Sequence, residues 1–426
     1  RGRWTARARA MAFVLLAIGT AIANELGRPI VRDFPPGRSK INHYCRAVTQ
    51  DVAGFIYTTN YGGVAIYDGD TWHSKPLPPE SAGIRKFATT ADGTIYAGGA
   101  SAIGYFLGAG DAATFVSLAP GLPPTRLGYD EIFDVLAVGQ TVYFADEEKI
   151  LIWREGTFTV VPCPSPPHSH GARLHRVGDT VYVTALDRAL SQLVGDRLEI
   201  VGAEPFFRQN QIISIEEGPS GTLVLLTERH GFFQLAAGQV APLPLAANRW
   251  LAGKVILQAL RLADGSRVVA FTSPSGDGGM RFAANGSYLG PIDNSIGLYV
   301  KTLRGFFADR EGGLWLGTET GLFRLEWPSP VTVFDAVNGL GSGAVADMVR
   351  HAGVLYAATS EGVFQLVPVD AAGRGAHFEK VFGHPAYSLL SHPAGLLIAG
   401  YSDVWLQSPA GFTAILALPP GGGILL

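Results

Sequence analysis

The chain has 426 residues, of which 16% are charged, and its formal net charge at pH 7 is −3. Charged residues are fewer than the roughly one quarter that is usual in soluble domains, whereas glycine occurs 54 times, which is typical of many tight turns around buried sheet. Because the charge is near neutral and no Lys/Arg run follows the first nine residues, nucleic acid is excluded as an expected partner.

The N-terminus has the form of an export signal. Arginines precede an apolar run from Met11 to about Ala23, and Ala21-Ile-Ala23 places small residues where a signal peptidase cleaves. At about 13 residues this run is short for a membrane span. We therefore expect residues 1–23 to be a cleaved signal peptide rather than a buried helix, and the mature chain to be periplasmic or otherwise extracytoplasmic.

The next predicted element is an isolated outer strand. Residues 30–34, followed by Pro35-Pro-Gly37, form a β-type segment that has no companion strands before it. The segment at residues 331–334, after Trp327-Pro-Ser-Pro330, has the same form. Each is expected to mark the beginning of a separate ring of sheets.

The first complete sheet is predicted immediately afterwards. Residues 45–50 form its innermost strand A, residues 55–59 strand B, residues 64–67 strand C and residues 71–75 the outer strand D. Asp-x-x-Gly, Tyr-Gly-Gly and Asp-Gly-Asp supply the turns between them. One such sheet cannot bury both of its faces, so we expect it to stack against others.

Degenerate copies of this unit recur along the chain. The sharpest copy is Asp309-Arg-Glu-Gly-Gly-Leu-Trp-Leu-Gly-Thr-Glu-Thr-Gly-Leu-Phe-Arg-Leu325. Successive copies lie roughly 40 to 47 residues apart, which is the blade length of a β-propeller. Aligned on the large residue of strand B, the copies are marked by Tyr57, Tyr96, Tyr143, Tyr182, Val224, Val268, Trp315, Tyr356 and Ile398.

This period predicts an all-β fold. Residues 29–327 are expected to form a β-propeller of seven four-stranded blades, and residues 328–426 the first blades of a second, incomplete propeller. Because an open arc leaves unpaired sheet edges, residues 30–34 should close the first ring by pairing with the blade that contains Trp315. The sequence stops inside a repeat, so a longer protein that completes the second ring is expected.

The sharpest copy also makes specific predictions about its own residues. Gly312 and Gly321 should occupy turn positions that favour glycine, whereas Trp315 and Leu322 should be buried between adjacent sheets.

With Gly297-Leu298 before it and Asn338-Gly-Leu340 after it, the Trp315 repeat resembles that of the two-component regulator propeller family. The resemblance extends over residues 25–426 and is sharpest in copies one, seven and eight. It implies a bacterial sensor in which a signal peptide, paired seven-bladed propellers and a small β-sandwich precede a membrane helix and an output module, commonly a histidine kinase. It also implies tethering to the inner membrane through a helix downstream of this sequence, and it allows a homodimer.

The sequence contains only weak candidates for a metal-binding or catalytic site. Cys163-x4-His168-x-His170 lacks the paired spacing of a zinc site, so neither a metal nor a cofactor is expected. Tyr129-Asp-Glu-Ile-Phe-Asp134 gathers three carboxylates that a glycosidase could use, but ordinary turn carboxylates are favoured and no catalytic residue is assigned. Cys45 and Cys163 could pair in an oxidising compartment, although their spacing does not require it.

Propeller geometry indicates where a ligand would bind. The D-to-A and B-to-C connections share one face, and the starts of the A strands project into the central pocket on that face. Aromatic, guanidinium and amide groups at such positions suit a polar ligand such as a glycan. The predicted ligand-binding residues are Tyr44, Tyr61, Arg85, Asp130, Gln211, Arg229 and Tyr299.

The sequence therefore predicts an exported, non-enzymatic sensor region whose partner is a polar small molecule or oligosaccharide. Contact with the membrane is expected only through the downstream helix. Two alternatives stay open: an exported carbohydrate-active enzyme on the same scaffold, and a protein-binding scaffold.

Overall fold

The computed structural model describes residues 25, 27–35, 45–60, 63–79, 81–122, 131–164, 166, 171–185, 187–202, 205–298, 302–327, 329, 331–368 and 375–417. Short antiparallel strands and turns dominate this part, with two single-turn α-helices, α1 (Phe206–Gln209) and α2 (Asn248–Leu251), and five single-turn 3-10 helices. None of the described helices is both long and apolar enough to cross a membrane. The predicted signal peptide, residues 1–23, lies outside the described residues.

The chain divides into two compact units. The first comprises the described residues of Val31–Asn294 and Leu298–Pro328, and the second those of Arg1–Ile30, Ser295–Gly297 and Ser329–Leu426. Each unit has its own sheets and its own apolar core.

The described part of the first unit contains seven four-stranded antiparallel sheets. One of them combines β1 (Val31–Phe34) with three strands from much later in the chain. The other six each take four consecutive strands, from innermost to outermost. The first three of these are β2 (Val48–Gln50), β3 (Ile56–Asn60), β4 (Gly63–Tyr67) and β5 (Trp72–Pro76); β6 (Gly83–Thr89), β7 (Ile95–Ala100), β8 (Ala102–Leu107) and β9 (Thr114–Ser117); and β10 (Asp134–Val138), β11 (Thr141–Ala145), β12 (Lys149–Arg154) and β13 (Thr157–Pro162).

The remaining sheets of the first unit follow the same order. They are β14 (Arg173–Val177), β15 (Thr180–Thr184), β16 (Ser191–Val194) and β17 (Arg197–Ile200); β18 (Ile212–Glu217), β19 (Leu223–Thr227), β20 (Gly231–Ala236) and β21 (Gln239–Pro242); β22 (Val255–Arg261), β23 (Arg267–Thr272), β24 (Gly278–Phe282) and β25 (Tyr288–Ile292); and lastly β26 (Leu303–Ala308), β27 (Gly313–Thr318) and β28 (Leu322–Glu326), to which β1 is added.

The innermost strands of these sheets are arranged in a closed ring. Each lies beside the innermost strand of the next sheet along the chain, and β26 lies beside β2, which closes the circle. Large side chains fill the space between neighbouring sheets, as Phe232, Val269 and Phe282 do between the sheets of β18 and β22. This packing gives every sheet the partner it needs to bury both faces. The predicted all-β propeller fold is confirmed.

Strand β1 completes the last sheet of the ring. It pairs antiparallel with β28, with Val31 opposite Leu325 and Phe34 opposite Leu322. The Phe34 ring stacks on that of Trp315 with a centroid distance of 5.3 Å and an interplanar angle of 18°. The predicted pairing of this segment with the blade that contains Trp315 is therefore confirmed, although Ile30 lies just outside the strand.

The repeat owes its form to the aspartate of its first turn. Asp309 is buried, and its Oδ1 accepts a hydrogen bond from the backbone N–H of Gly313. Its Oδ2 accepts from Trp315 Nε1 at 2.8 Å and from Arg324 Nε at 2.7 Å. One carboxylate thus closes the turn between strands A and B and fixes the indole of strand B, which is why aspartate and a large residue recur at this spacing.

The first blade uses the same device with a phenol in place of the indole. Asp51 Oδ1 accepts from the backbone N–H groups of Ala53 and Phe55, at 3.0 and 2.9 Å. Tyr57 donates its hydroxyl to Asp51 Oδ2 at 3.1 Å. The polar end of each large residue is therefore satisfied inside the core, as a buried hydroxyl or indole N–H requires.

The predicted roles of four residues in the sharpest repeat are confirmed. Gly312 and Gly321 have φ angles of +87° and +146°, which residues other than glycine rarely adopt. Trp315 and Leu322 are 2% and 0% exposed and pack in one cluster. Between them Thr318 donates its hydroxyl to the carbonyl of Gly321 at 2.8 Å, which holds the second turn closed.

The described part of the second unit contains two further four-stranded sheets, whose innermost strands lie side by side. Their shared core includes Tyr356, Phe382 and Ile398. Arg28 adds a bridge to Val333 and an ion pair to Asp335. The strands are β29 (Val345–His351), β30 (Val354–Thr359), β31 (Gly362–Val367) and β32 (His377–Phe382), then β33 (Ser388–His392), β34 (Gly395–Ala399), β35 (Asp403–Ser408) and β36 (Gly411–Ala417).

Candidate functional site

The innermost strands of the ring enclose a cavity of about 460 Å³. Its wall is formed by the first half of these strands and the residues just before them, and each blade contributes one to four consecutive residues. The lining residues are Arg46, Arg85, Lys86, Phe133, Asp134, Ala172, Arg173, Leu174, His175, Ile213, Leu257, Gln258, Ala259, Leu303 and Arg304. We refer to this space as the upper cavity.

A second cavity of about 320 Å³ lies further along the same strands and is called the lower cavity. It shares Arg46, Lys86 and Gln258 with the upper cavity, so these three residues mark the junction between the two. The rest of the lower cavity is uncharged: Ala47, Val48, Thr49, Phe87, Ala88, Thr89, Gly305, Phe306 and Phe307.

Three of the arginines occupy one equivalent position in three neighbouring blades. In each of these blades one residue of strand A pairs with the large residue of strand B. Arg46, Arg85 and Arg304 each lie three residues before that strand A residue. In the second and seventh blades the ladder shifts register around Arg85 and around Arg304. Bulges of this kind re-aim a side chain, and they allow consecutive residues such as Arg85 and Lys86 to face the same cavity.

Arg85 is held by a carboxylate and an aromatic ring. Its guanidinium forms an ion pair with Glu131 and lies over the Phe133 ring, 5.2 Å from the ring centroid. Both partners come from the neighbouring blade, because Glu131 and Phe133 directly precede β10. The side chain is therefore fixed across a blade boundary while remaining partly exposed to the cavity.

Arg173 is held by a polar chain that extends towards the rim. With its amide oxygen turned towards Arg173, Gln211 accepts from Nε and from a terminal nitrogen of that guanidinium, both at 3.2 Å. The Gln211 amide nitrogen donates to Glu228 Oε1, also at 3.2 Å. Burial lowers the pKa of Arg173, and the charges of Asp134 and Glu228 act in the opposite direction. Because the ordinary pKa of a guanidinium is far above neutral pH, Arg173 stays protonated.

His175 is a buried, neutral histidine in the wall of the cavity. Its Nε2 lies 2.9 Å from Thr184 Oγ1. Burial, together with the positive charges of Arg173 and Lys86, lowers the pKa of the imidazole to about 3. At neutral pH the ring can therefore donate one hydrogen bond and accept another, but it adds no charge.

The upper cavity has a positive wall. Five cationic side chains line it, whereas Asp134 is the one carboxylate among the lining residues. That carboxylate accepts hydrogen bonds from the backbone N–H groups of Leu174 at 2.9 Å and Val135 at 3.1 Å. Lys86 and Gln258 have no hydrogen-bond or ion-pair partner within the described part of the chain, so their polar groups are open to a ligand.

The structure brings some of the predicted ligand-binding residues to this site. Arg85 lines the upper cavity. Gln211 lines a small side pocket of about 10 Å³ that shares Arg173 with it. Arg229 lies away from the cavity with a 61% exposed side chain and is connected to Gln211 only through Glu228, which it contacts at 3.1 Å. The other four predicted residues lie outside the described residues: Tyr44, Tyr61, Asp130 and Tyr299.

Sequence reasoning missed most of the polar wall, namely Arg46, Lys86, Arg173, His175, Gln258 and Arg304. A signal for part of it was present. Arg46 and Arg304 stand at the same repeat position as Arg85, so a repeat alignment carried through to strand A would have grouped all three. His175 gives no such signal, because it faces the cavity from the middle of a regular strand.

The two weak chemical motifs acquire no catalytic geometry in the described residues. Glu131 pairs with Arg85, and Asp134 is occupied by backbone N–H groups. Cys45 and Cys163 are both buried and unpaired with each other, and burial raises the pKa of both thiols. No cluster of three or more His, Cys, Asp or Glu side chains suited to a metal occurs among the described residues; His168 and His170 are not among them.

Similarity to known proteins lies in the fold. No family model matches the chain, and no curated protein matches it. The extracellular domain of BT3049 of B. thetaiotaomicron, named as a hybrid two-component system, superposes with a TM-score of 0.67 at 15% identity over 92% of this chain and 55% of that one. The extracellular domain of BT4673, named as a one-component system of the same organism, gives 0.54 at 15% identity over 90% and 54%.

A propeller enzyme is also similar. A streptogramin B lyase gives a TM-score of 0.51 at 12% identity and covers 70% of this chain and 97% of its own. The present chain spans about half the length of the two extracellular domains. At these identities the similarities establish the β-propeller fold.

Proposed function

We propose that this chain is the extracytoplasmic ligand-sensing region of a bacterial membrane-bound two-component regulator, and that its ring binds a polar ligand such as an oligosaccharide without converting it. The observation that carries the proposal is the polar, cation-lined upper cavity where the innermost strands begin. The fold shared with the extracellular domain of BT3049 supports it, and it agrees with the export signal predicted from the sequence.

A cavity of this kind suits recognition better than catalysis. Two of its guanidinium groups are held by neighbouring carboxylates, Arg85 by Glu131 and Arg304 by Glu319, so they are preorganised to donate hydrogen bonds. The described carboxylates nearest the cavity are occupied by a cation or by backbone N–H groups. A catalytic acid and base would need carboxyl groups free to exchange protons with the ligand.

Sensing further requires that ligand binding favours one state of the receptor over another. A ligand shifts such an equilibrium only by the difference between its affinities for the two states. The proposal therefore includes an output module downstream of this chain, a histidine kinase in the simplest case, and it accommodates signalling between two protomers.

Binding and turnover are tested together with the full chain. It is screened on an array of bacterial and plant glycans, and each bound glycan is incubated with the protein and analysed by chromatography. We expect binding without products. Arg85→Ala should weaken binding by roughly 1 to 3 kcal/mol, because it removes a fixed cationic donor from the cavity. Arg197→Ala is the matched control, since its side chain is 85% exposed on an outer strand.

Two outcomes would reject the proposal. Equal losses for Arg85→Ala and Arg197→Ala would place the binding site away from the cavity. Cleavage of the bound glycan that disappears when Glu131 or Asp134 is replaced would identify a carbohydrate-active enzyme instead.

A further inference from the structure

The junction between the two cavities combines cationic and amide groups, and no carboxylate occurs among the described residues that line both cavities. Arg46, Lys86 and Gln258 line both cavities, and the remaining residues of the lower cavity are uncharged. In the upper cavity the lining carboxylate, Asp134, accepts backbone hydrogen bonds from Val135 and Leu174. Positive charge at the junction therefore exceeds negative charge on the walls around it.

Three arginines of the upper cavity are held by neighbouring side chains. Arg85 pairs with Glu131, and Arg304 pairs with Glu319. Arg173 is connected to Glu228 through Gln211. These contacts fix the guanidinium groups and reduce their demand for a negatively charged ligand. The ammonium of Lys86, by contrast, has no ion-pair or hydrogen-bond partner among the described residues.

The surroundings of Lys86 screen its charge only weakly. The lower cavity beside it contains Phe87, Phe306 and Phe307, and such apolar walls screen a charge much less than bulk water does. The charge of Lys86 also acts on His175: burial and the charges of Arg173 and Lys86 together lower the pKa of its imidazole and favour the neutral form. A partly enclosed ammonium without a counter-ion is unfavourable, and an anion bound beside it would offset this.

The shape of the junction limits what that anion can be. Arg46 offers a planar fork suited to an oxyanion with two acceptor oxygens, Lys86 a point charge, and Gln258 an amide able to donate or accept. The upper cavity, at about 460 Å³, has room for a sugar unit. The lower cavity, with its three phenylalanines and two threonines, suits less polar substituents.

We propose that the cavity junction binds an oxyanion, a carboxylate or a sulfate carried on a sugar ring, between Arg46, Lys86 and Gln258. This inference rests on the proposed ligand-sensing function and narrows it: the preferred glycans are acidic, such as uronic acids or sulfated sugars. The neutral part of the ligand occupies the upper cavity, where Arg85, Arg173 and His175 donate or accept hydrogen bonds.

The test is isothermal titration of the full chain with four probes: trigalacturonate, a sulfated chondroitin disaccharide, neutral cellotriose and inorganic sulfate. At least one acidic sugar should bind at least about tenfold more tightly than cellotriose. That binding should weaken as NaCl rises from about 50 to about 500 mM, since salt screens a partly exposed charge pair.

Variants locate the charge. Lys86→Gln retains a polar side chain and should weaken binding of the acidic sugar by about tenfold, and binding of cellotriose by much less. Arg197→Gln removes a charge from an exposed outer strand and should change neither. Circular dichroism establishes that each variant is folded, and Lys86→Arg, which keeps the charge, should retain most of the affinity.

Each result decides the inference. Cellotriose binding as tightly as either acidic sugar, with no effect of Lys86→Gln, overturns it and leaves the proposed function standing. Failure of both acidic sugars and of sulfate to bind also overturns it, and the glycan array then decides the proposed function. Inorganic sulfate binding as tightly as the sugars, and lost in Lys86→Gln, supports the oxyanion site, identifies a free ion as its ligand and counts against the glycan-sensing function.

Discussion

A single carboxylate organises the sharpest repeat. Asp309 accepts hydrogen bonds from the backbone of its own turn, from the indole of Trp315 and from the guanidinium of Arg324. The aromatic side chain is therefore buried with its N–H satisfied, and its apolar surface is free to pack against Phe34 and Leu322. The motif is conspicuous in sequence because one turn residue and one core residue depend on each other.

Removing the indole should destabilise the ring. Trp315→Ala leaves a cavity between two sheets and deprives Asp309 of a donor, so we expect a loss of about 3 to 5 kcal/mol in the free energy of unfolding. Urea denaturation followed by circular dichroism measures it. Ile200→Ala is the control, because this side chain is 72% exposed in the same unit and should change stability by less than about 0.5 kcal/mol. A loss below about 1 kcal/mol for Trp315→Ala would mean that the indole is not part of the core.

His175 should make stability depend on pH. Its folded-state pKa of about 3 lies below the unfolded value of about 6.5, so in that interval the unfolded chain binds a proton that the folded chain does not. The free energy of unfolding therefore falls as pH decreases through this window. His175→Gln retains a partner for Thr184 and removes the titration.

The comparison of wild type and variant isolates this one group. Between pH 7 and pH 5 the wild type should lose roughly 2 kcal/mol more stability than His175→Gln. Urea denaturation at pH 7, 6 and 5 measures the difference. Parallel pH dependences would show that the imidazole is protonated in the folded chain or solvated in it.

At the scale of elements, the ring is closed by a strand far from its partner in sequence. Phe34 of β1 packs on Trp315, Tyr67 and Trp72, which belong to the last and first blades. Phe34→Ala should therefore loosen β28 more than distant strands. Hydrogen exchange should become faster in Leu322–Glu326 while Asp134–Val138, in the third blade, stays protected.

A substitution on the opposite side of the same strand provides the control. Asp33 is exposed, and Asp33→Ala should leave exchange in β28 unchanged. Uniformly faster exchange in all blades after Phe34→Ala would mean that the ring opens as one cooperative unit rather than at its closing sheet.

The elements could be predicted because they depend on local residues. Gly312 and Gly321 permit turns that other residues rarely allow, and Trp315 and Tyr57 mark strand B through contacts inside one blade. The pairing of residues 30–34 was also predictable, since a lone β-type segment requires an edge to join. The turns and the strand B residues are encoded within a few residues of where they act, whereas the pairing of residues 30–34 follows from the need of a lone strand for a partner.

The wall of the cavity was harder to predict because it depends on register and on neighbouring blades. A regular strand would face alternate residues towards the axis, yet Arg85 and Lys86 both line the cavity, where the ladder shifts between Ile84 and Lys86. The position of Arg173 depends on Gln211 and Glu228 of the next blade. No single repeat contains that information.

At the scale of the whole molecule, a ring of sheets turns weak local repeats into a defined site. Each blade contributes only a few residues at the start of its innermost strand, and the cavity exists because the sheets meet around one axis. Side chains from different blades therefore come together without being near in sequence. The site can vary at these positions while the buried aspartates, glycines and large residues maintain the scaffold.

The ring should consequently depend on its closing strand. Replacing Val31–Phe34 by Gly-Ser-Gly-Ser keeps the chain length but removes the strand that pairs with β28 and the aromatic ring that packs on Trp315. The exposed edge of β28 would then be open to pairing with other chains. We expect a lower thermal midpoint and concentration-dependent self-association, measured by circular dichroism and light scattering.

Adding the missing strand separately should reverse both effects. An excess of a synthetic peptide of residues 29–35 can pair with β28 by strand addition, and it should raise the midpoint and reverse the added self-association. A peptide with the Phe34→Ala change offers the same backbone without the ring that packs on Trp315, so it should restore much less. If the replaced chain melts like the wild type, or if both peptides act equally, ring closure does not depend on the pairing and packing of β1.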